Sequence, residues 1–224
     1  ARGHVTLLVN TPFQRFVAMD PFGGAYLATE AFAEAKAHDA ALVAQLNEEM
    51  AGSGVSHDVI SADNEAVGAL ANAASLADLA VVALAGAGSG RAGDLALAAP
   101  IPVLALPEAL AGLDLHGPAV VAWNGRAEAA AALRAAMPLL AGRAVTLLRI
   151  GADDGPVTDE AALAYLARHG VTATLQVESA GSLSAGETIE QHALAMNAAL
   201  VVMGAFGRSR LRETLFGGVT QYLL

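Results

Sequence analysis

The stretch Val201-Val202-Met203-Gly204-Ala205-Phe206-Gly207-Arg208-Ser209-Arg210-Leu211-Arg212 leads from an apolar run into a glycine turn. The apolar run predicts a buried strand, and Gly204 and Gly207 allow another group to approach the turn closely. The following residues predict a helix, whose free N–H groups and positive dipole end favour an anion. Three of the twelve basic residues, Arg208, Arg210 and Arg212, lie here within five positions and indicate phosphate. A solvated, arginine-rich first helical turn is the alternative.

The alternation of strand and helix extends backwards from this stretch to residue 119. Thr158 and a Ser184–Glu187 capping box are expected to start two helices, and Pro138 is expected to end a third. Strands that alternate with helices imply right-handed parallel βαβ units, with helices on both faces of the sheet. The sequence therefore predicts an α/β fold, with a doubly wound parallel sheet of flavodoxin-like order. Short apolar strands are predicted at 119–123, 145–150, 171–177 and 200–203.

Three short strings recur in the same order in both halves of the chain. Their offsets are 140 for Val5–Leu8 and Val145–Leu148, 116 for Gly54–Ser56 and Gly170–Thr172, and 121 for Leu79–Val82 and Leu200–Met203. Chance similarity between apolar strands can explain any one match. Three matches in order indicate a duplicated domain.

We therefore predict two tandem domains, residues 1–116 and residues 117–224. The offset falls from 140 to 116, so the first copy carries 24 extra residues, which lie within 12–51. Comparison of the copies leads us to expect that the chain as given lacks the first strand and helix of the first domain and the last strand of the second. The insertion concentrates Phe13, Phe16, Met19 and Phe22. These residues predict either a loop folded onto its own domain or a lid or partner surface.

The composition argues against several classes of protein. The 224 residues include 12 basic and 22 acidic ones, a net charge of −10, which disfavours general nucleic-acid binding. The absence of cysteine excludes disulfides, thiolate zinc sites and cysteine nucleophiles, and it fits a reducing cytoplasm. The mean hydropathy is +0.49, yet no apolar run reaches the ~18–20 residues of a spanning helix. We find no metal-ligand spacing among the six histidines and no catalytic triad, so we expect no metal and no catalytic residues.

The glycine segment resembles the signature of the universal stress protein family. Gly204, Gly207 and Gly217 have the spacing of the family's glycines, and Ala122-Trp123-Asn124-Gly125 resembles the first turn of the subgroup with two tandem domains. The resemblance implies an α/β fold similar to adenine-nucleotide α-hydrolases, cytoplasmic residence, dimeric or tandem pairing, and a role in stress endurance. Some members of the family bind ATP.

The resemblance also implies a set of nucleotide-binding residues in the second domain. Backbone N–H groups near Gly207 and Gly217 would hold phosphates, and Asn124 would meet the base or ribose. Two positions depart from the binding pattern, because Gly218 replaces a small hydroxyl residue and Asn124 replaces an aspartate. Mg²⁺ is expected only together with a nucleotide. A Gly204→Val change is expected to abolish binding and to cost the fold little beyond ~1–3 kcal/mol of strain. The predicted positions are Asn124, Gly204, Gly207, Arg208, Ser209, Gly217, Gly218 and Thr220.

The first copy retains less of this pattern. At offset 121 Gly204 aligns with Ala83, and too few residues follow Gly86 for a family-type nucleotide site. We therefore expect a cytoplasmic stress-response regulatory or binding protein, not an enzyme, with an ATP site in the second domain; weak ATPase activity stays open. The alternative is a dimerising scaffold that binds no nucleotide and acts through protein partners. The expected partners are a second copy, the other domain or another protein, and neither nucleic acid nor membrane.

Overall fold

The fold is given by a computed structural model, whose residues form two compact units. The first comprises residues 1–78 and 98–101, and the second comprises residues 79–97 and 102–224. The predicted domain boundary after residue 116 stays a prediction. The residues that the structure describes are 3–19, 22, 24–63, 66–84, 90–99, 101–107, 110, 112, 114, 116–152, 155–179, 181–205 and 222–223.

The first unit is built on two parallel strands joined by a long helix. In chain order its elements are β1 (His4–Asn10), a 3₁₀ turn (Phe13–Phe16), β2 (Val17–Met19), β3 (Ala25–Leu27), α1 (Thr29–Ala51), β4 (Ser56–Ala62) and α2 (Ala66–Ala74). β1 pairs with β4 in parallel, and β2 and β3 form an antiparallel hairpin. The 24 extra residues predicted for this copy thus belong to the 3₁₀ turn, the hairpin and a helix of 23 residues.

Polar contacts fix α1 to the carboxyl ends of β1 and β4. Asp39, the buried residue of α1, accepts a hydrogen bond from the Thr11 hydroxyl at 2.8 Å. The Lys36 ammonium lies 3.7 Å from the other Asp39 oxygen and donates to the Ser61 hydroxyl. A buried carboxylate held in this way specifies which face of α1 meets the strands.

Part of the aromatic insertion folds onto its own unit, and the lid or partner surface stays a prediction. The ring of Phe16 packs against Phe32 of α1, with ring centroids 5.4 Å apart, as a loop folded onto its own unit requires. Phe13 and Met19 are exposed, and Phe22 is 97% exposed. The hairpin therefore leaves apolar surface uncovered in the first unit.

The second unit carries the remaining elements. They are β5 (Ala80–Leu84), α3 (Gly90–Ala98), β6 (Val103–Pro107), β7 (Ala119–Trp123), α4 (Ala127–Leu140), β8 (Val145–Ile150), α5 (Asp159–Arg168), β9 (Ala173–Glu178), α6 (Ala185–Ala195) and β10 (Leu200–Val202). β5 and β6 form a parallel pair. The last four strands form one parallel sheet in the order β9-β8-β7-β10.

This sheet confirms the predicted α/β class with helices on both faces. One face of β7 packs with Leu133 and Leu166 of α4 and α5. The other face, through Val120, packs with Ile189 of α6. The order of the strands along the sheet is third, second, first, fourth, whereas flavodoxin order would place the third strand beside the first. The difference arises because α4 and α5 place β8 and β9 successively on one side of β7. The crossover through α6 then places β10 on the other side of β7.

The strand register reproduces the repeat found in the sequence. Val5 of β1 pairs with His57 of β4, and Val145 of β8 pairs with Ala173 of β9. Adding the sequence offset of 140 to Val5 gives Val145, and adding the offset of 116 to His57 gives Ala173. The two strand pairs therefore have the same register. Because a slip by one residue would turn every side chain to the opposite face, this identity of register supports a duplication.

Helix boundaries follow the predicted caps, with one correction. Thr158 caps α5, and Ser184 and Glu187 form the complete capping box of α6. Pro138 does not end α4, which continues to Leu140. Proline in the last turn removes one helical hydrogen bond, and Leu140, which is fully buried, holds the chain in the helix. Among the helices in the described parts of the chain, none has the length and apolar character to cross a membrane.

Candidate functional site

The strand order reverses between β7 and β10 in the second unit, and we call the region outside the carboxyl ends of these two strands the crevice. β7 and β10 are neighbours, with Val121 paired to Val202, so their carboxyl ends lie side by side. Asn124 follows β7 directly, and Gly204 lies two residues beyond β10. In open α/β sheets, ligands bind at such a reversal, outside the carboxyl ends of the strands.

The predicted residues that lie outside the described part of the chain are Gly207, Arg208, Ser209, Gly217, Gly218 and Thr220.

Gly204 touches the first turn of α4. A Cβ atom at Gly204 would lie 2.6 Å from the backbone nitrogen of Ala129 and 2.6 Å from the carbonyl carbon of Glu128. These are backbone atoms, so a side chain at this position would force the turn and the helix apart. The expectation that Gly204→Val costs the fold little is therefore wrong, and the variant would not separate binding from folding.

The start of α4 borders this crevice, since its first turn touches Gly204. Its N-cap residue is Arg126, whose side chain makes no capping hydrogen bond. Asn124 is exposed, and its side-chain oxygen accepts a hydrogen bond from the backbone N–H of Arg126 at 3.1 Å. Asn124 therefore shapes the turn that leads into α4. Glu128 adds a negative charge in the first helical turn, which favours the helix but opposes an anion at its end.

Two glycines lock the turn after β7 to the turn after β8. The backbone N–H of Val157 donates to the carbonyl oxygen of Gly125 at 3.0 Å. A Cβ atom at Gly155 would lie 2.5 Å from the Cα of Gly125 and 2.4 Å from the carbonyl oxygen of Asn124. Gly125 also has a φ of +68°, which favours glycine. This contact fixes the backbone of Asn124 at the edge of the crevice.

A buried ion pair supports the same edge. The Arg149 Nε at the end of β8 donates to Asp159 Oδ2 at 2.7 Å, and a further guanidinium N–H bonds the Gly151 carbonyl. Both side chains are largely removed from solvent. Our sequence reasoning missed this pair. A charged residue in the mostly apolar strand Val145–Ile150, followed by an acidic residue just after the Thr158 cap, could have indicated it.

A second polar cluster lies in the first unit, at the amino ends of β1 and β4. The His4 ring contacts Ser56 Oγ at 2.9 Å through Nδ1, and Asp58 Oδ2 at 3.3 Å through Nε2. The side chains of His4 and Asp58 are 47% and 71% exposed, so water screens the interaction and the cluster is a surface contact. In the described part of the chain, no group of three or more acidic or histidine side chains could hold a metal ion.

Two of the resolved pKa shifts belong to a turn and to a helix start. Backbone N–H groups of His116 and Gly117 lower the pKa of Asp114, and the backbone N–H of Ser184 lowers the pKa of Glu187. In both cases the N–H groups stabilise the ionised carboxylate. These shifts report local structure outside the crevice.

Comparison with known proteins gives one family and a related fold. Residues 117–224 match the family model described as "Universal stress protein family". None of the curated proteins matches the sequence. The structure of a universal stress protein from Archaeoglobus fulgidus DSM 4304 matches with a TM-score of 0.68 and 14% identity, covering 97% of this chain and 79% of that chain, and so shares the fold. A protein from the universal stress protein family from Burkholderia pseudomallei matches with a TM-score of 0.34 and 24% identity, covering 41% of this chain and 83% of that chain.

Proposed function

Because residues 117–224 belong to the universal stress protein family, we propose that this stress-response protein holds an adenine nucleotide in the crevice between β7 and β10. The proposal rests on one observation: three features lie together where the strand order reverses between β7 and β10. Asn124 and Gly204 follow the two strands, and the first turn of α4, whose N-cap residue Arg126 makes no side-chain capping bond, touches Gly204. A phosphate near this helix start would gain from the helix dipole and from the first N–H groups.

The proposal assigns a different task to each part of the site. Gly204 allows the turn after β10 to approach α4, and the segment that follows would contribute N–H groups near Gly207 and Gly217 and the Arg208 side chain. The Asn124 amide would hydrogen-bond the base or ribose without adding charge. Any Mg²⁺ would arrive with the nucleotide and neutralise phosphate charge. We propose binding and regulation in the cytoplasm rather than turnover.

A scaffold that binds no nucleotide is the second candidate. It is favoured by the exposed apolar side chains of the β2–β3 hairpin, where Met19 and Phe22 are mostly solvent-accessible. Such surface suits a protein partner or a second copy of the chain. The lack of an aspartate at position 124 and of a hydroxyl at Gly218 points the same way.

Calorimetric titration with ATP separates the two candidates. We expect saturable binding to the wild-type chain and about tenfold weaker binding to Asn124→Ala, since the loss of one ligand hydrogen bond is worth about 1–1.5 kcal/mol. Asn124→Asp keeps an acceptor for the Arg126 N–H, so it should bind at least as well as Asn124→Ala. Asn72→Ala, an exposed change in α2, serves as the control and should leave the affinity unaltered. Wild-type protein without saturable binding up to millimolar ATP would favour the scaffold.

A further inference from the structure

Two deeply buried polar atoms near the crevice have no hydrogen-bond partner in the described structure. They are the indole Nε1 of Trp123 and the carboxylate Oδ1 of Asp159. Each residue is only 3% exposed. Buried polar atoms in folded proteins are nearly always satisfied by protein groups or by internal water, so this pair requires an explanation.

Both residues are linked to the same arginine on one face of the sheet. Trp123 pairs with Arg149 in the register of β7 and β8, and paired residues of neighbouring strands project from the same face. This is the face covered by α4 and α5, because Trp123 packs in the cluster that contains Ala129 and Leu166. Arg149 in turn holds the carboxylate of Asp159, the first residue of α5.

The chemistry of the two atoms is complementary to that of a hydroxyl group. The indole N–H can only donate, and the carboxylate oxygen can accept. Arg149 occupies Asp159 Oδ2 and so leaves Oδ1 for another donor. One hydroxyl group can accept from the indole and donate to the carboxylate at the same time.

We propose that Trp123 and Asp159 flank an internal site that binds a single hydroxyl group. The hydroxyl has two sources, a buried water or a hydroxyl of a ligand in the adjacent crevice. The turn containing Val157 packs on the cluster around Trp123 and is bonded to Gly125, next to Asn124. The site therefore lies beneath the turn that borders the crevice. The ligand source rests on the proposed function, whereas the water source is independent of it.

The single tryptophan of the chain makes a direct test practical. In the ¹⁵N-labelled full chain, Trp123 gives the single indole N–H resonance. We expect cross-relaxation between this proton and a long-lived water or hydroxyl proton. Asp159→Asn should shift the indole resonance, because the hydroxyl between the two side chains must reorient. Glu160→Gln, an exposed change at the next position of the same helix start, should leave it in place.

Titration with adenosine and with adenine, which lacks hydroxyl groups, then distinguishes the sources. If adenosine removes the water signal and adenine does not, the occupant is a ligand hydroxyl. If the water signal survives the addition of either compound, the occupant is a resident water. The wild-type measurement needs no variant, so misfolding of Asp159→Asn does not obscure it. The proposal is overturned if the wild-type indole proton shows no such cross-relaxation. A water signal in protein that binds no nucleotide would uphold the hydroxyl site while the proposed function fails.

Discussion

The guanidinium of Arg143 donates a hydrogen bond to the carbonyl oxygen of Gly117 at 2.7 Å. The same buried side chain donates to the carbonyls of Leu139 at 2.6 Å and Asp114 at 3.0 Å. It thus joins the end of α4 to the segment that leads into β7. The planar fork of arginine reaches three acceptors at once, which a lysine ammonium cannot reproduce.

Arg143→Lys should therefore destabilise the protein. We expect a loss of about 1–3 kcal/mol in the free energy of unfolding, because at least one buried carbonyl loses its donor. Urea denaturation followed by Trp123 fluorescence measures this loss. Arg134→Lys, an exposed change on α4, provides the control and should alter stability by less than about 0.5 kcal/mol. Equal stabilities of the two variants would show that the carbonyl contacts contribute little.

The contact between Gly155 and Gly125 predicts a second loss of stability. Gly155→Ala places a Cβ atom 2.5 Å from the Gly125 backbone, so the two turns must separate. We expect destabilisation of about 1–3 kcal/mol, as for other overpacked positions. Gly181→Ala is the matched control, since a Cβ there meets nothing within 4 Å. Thermal denaturation of both variants checks the prediction, and an unaltered melting temperature for Gly155→Ala would contradict the close approach of the turns.

The capping box of α6 predicts a dependence of stability on acid. The Ser184 backbone N–H donates to Glu187 at 2.7 Å and lowers the pKa of this carboxyl from its ordinary 4.5. A lowered pKa in the folded state adds stability above the unfolded-state value, and that stability is lost as the pH falls through the folded-state value. Glu187→Gln should therefore lose stability less steeply than wild type between about pH 5 and pH 3. Parallel slopes in denaturant titrations across this range would rule out the contribution.

Removal of the Glu128 charge should have opposite effects on nucleotide binding and on folding. Its charge lies in the first turn of α4, where it favours the helix dipole and repels a bound anion. Glu128→Gln should strengthen ATP binding about two- to fivefold and weaken folding by about 0.3–1 kcal/mol. Calorimetric titration and urea denaturation of the same preparation measure both effects. Glu160→Gln at the start of α5 should leave the affinity as in wild type, and an unchanged affinity for Glu128→Gln would place the anion elsewhere.

Much of the second unit could be predicted because its signals are local. Hydrogen-bonding side chains at Thr158 and Ser184 mark the helix starts, and Gly170 marks a helix end. The repeat also predicts which strands correspond, and the pairing of Val5 with His57 and of Val145 with Ala173 follows that correspondence. Pro138 was misread because the burial of Leu140, a tertiary effect, outweighs one missing hydrogen bond.

The site was less predictable because it depends on contacts between distant segments. Sequence pattern placed Asn124 and Gly204 at the ends of predicted strands, yet it gave no indication that Gly204 contacts Ala129. The contact of Gly155 with Gly125 and the pair of Arg149 with Asp159 likewise join separate loops and strands. Which residues make such contacts is determined by the packing of the whole unit and not by their spacing along the chain.

Photolabelling of the full chain with 8-azido-ATP, followed by mass-spectrometric mapping, tests the central claim most directly. The account predicts labelled peptides from residues 117–130 or 200–224, and loss of that labelling when unmodified ATP is in excess. These peptides contain the turns after β7 and β10. Labelling confined to residues 3–63, or labelling that excess ATP does not reduce, would contradict a nucleotide site in this crevice.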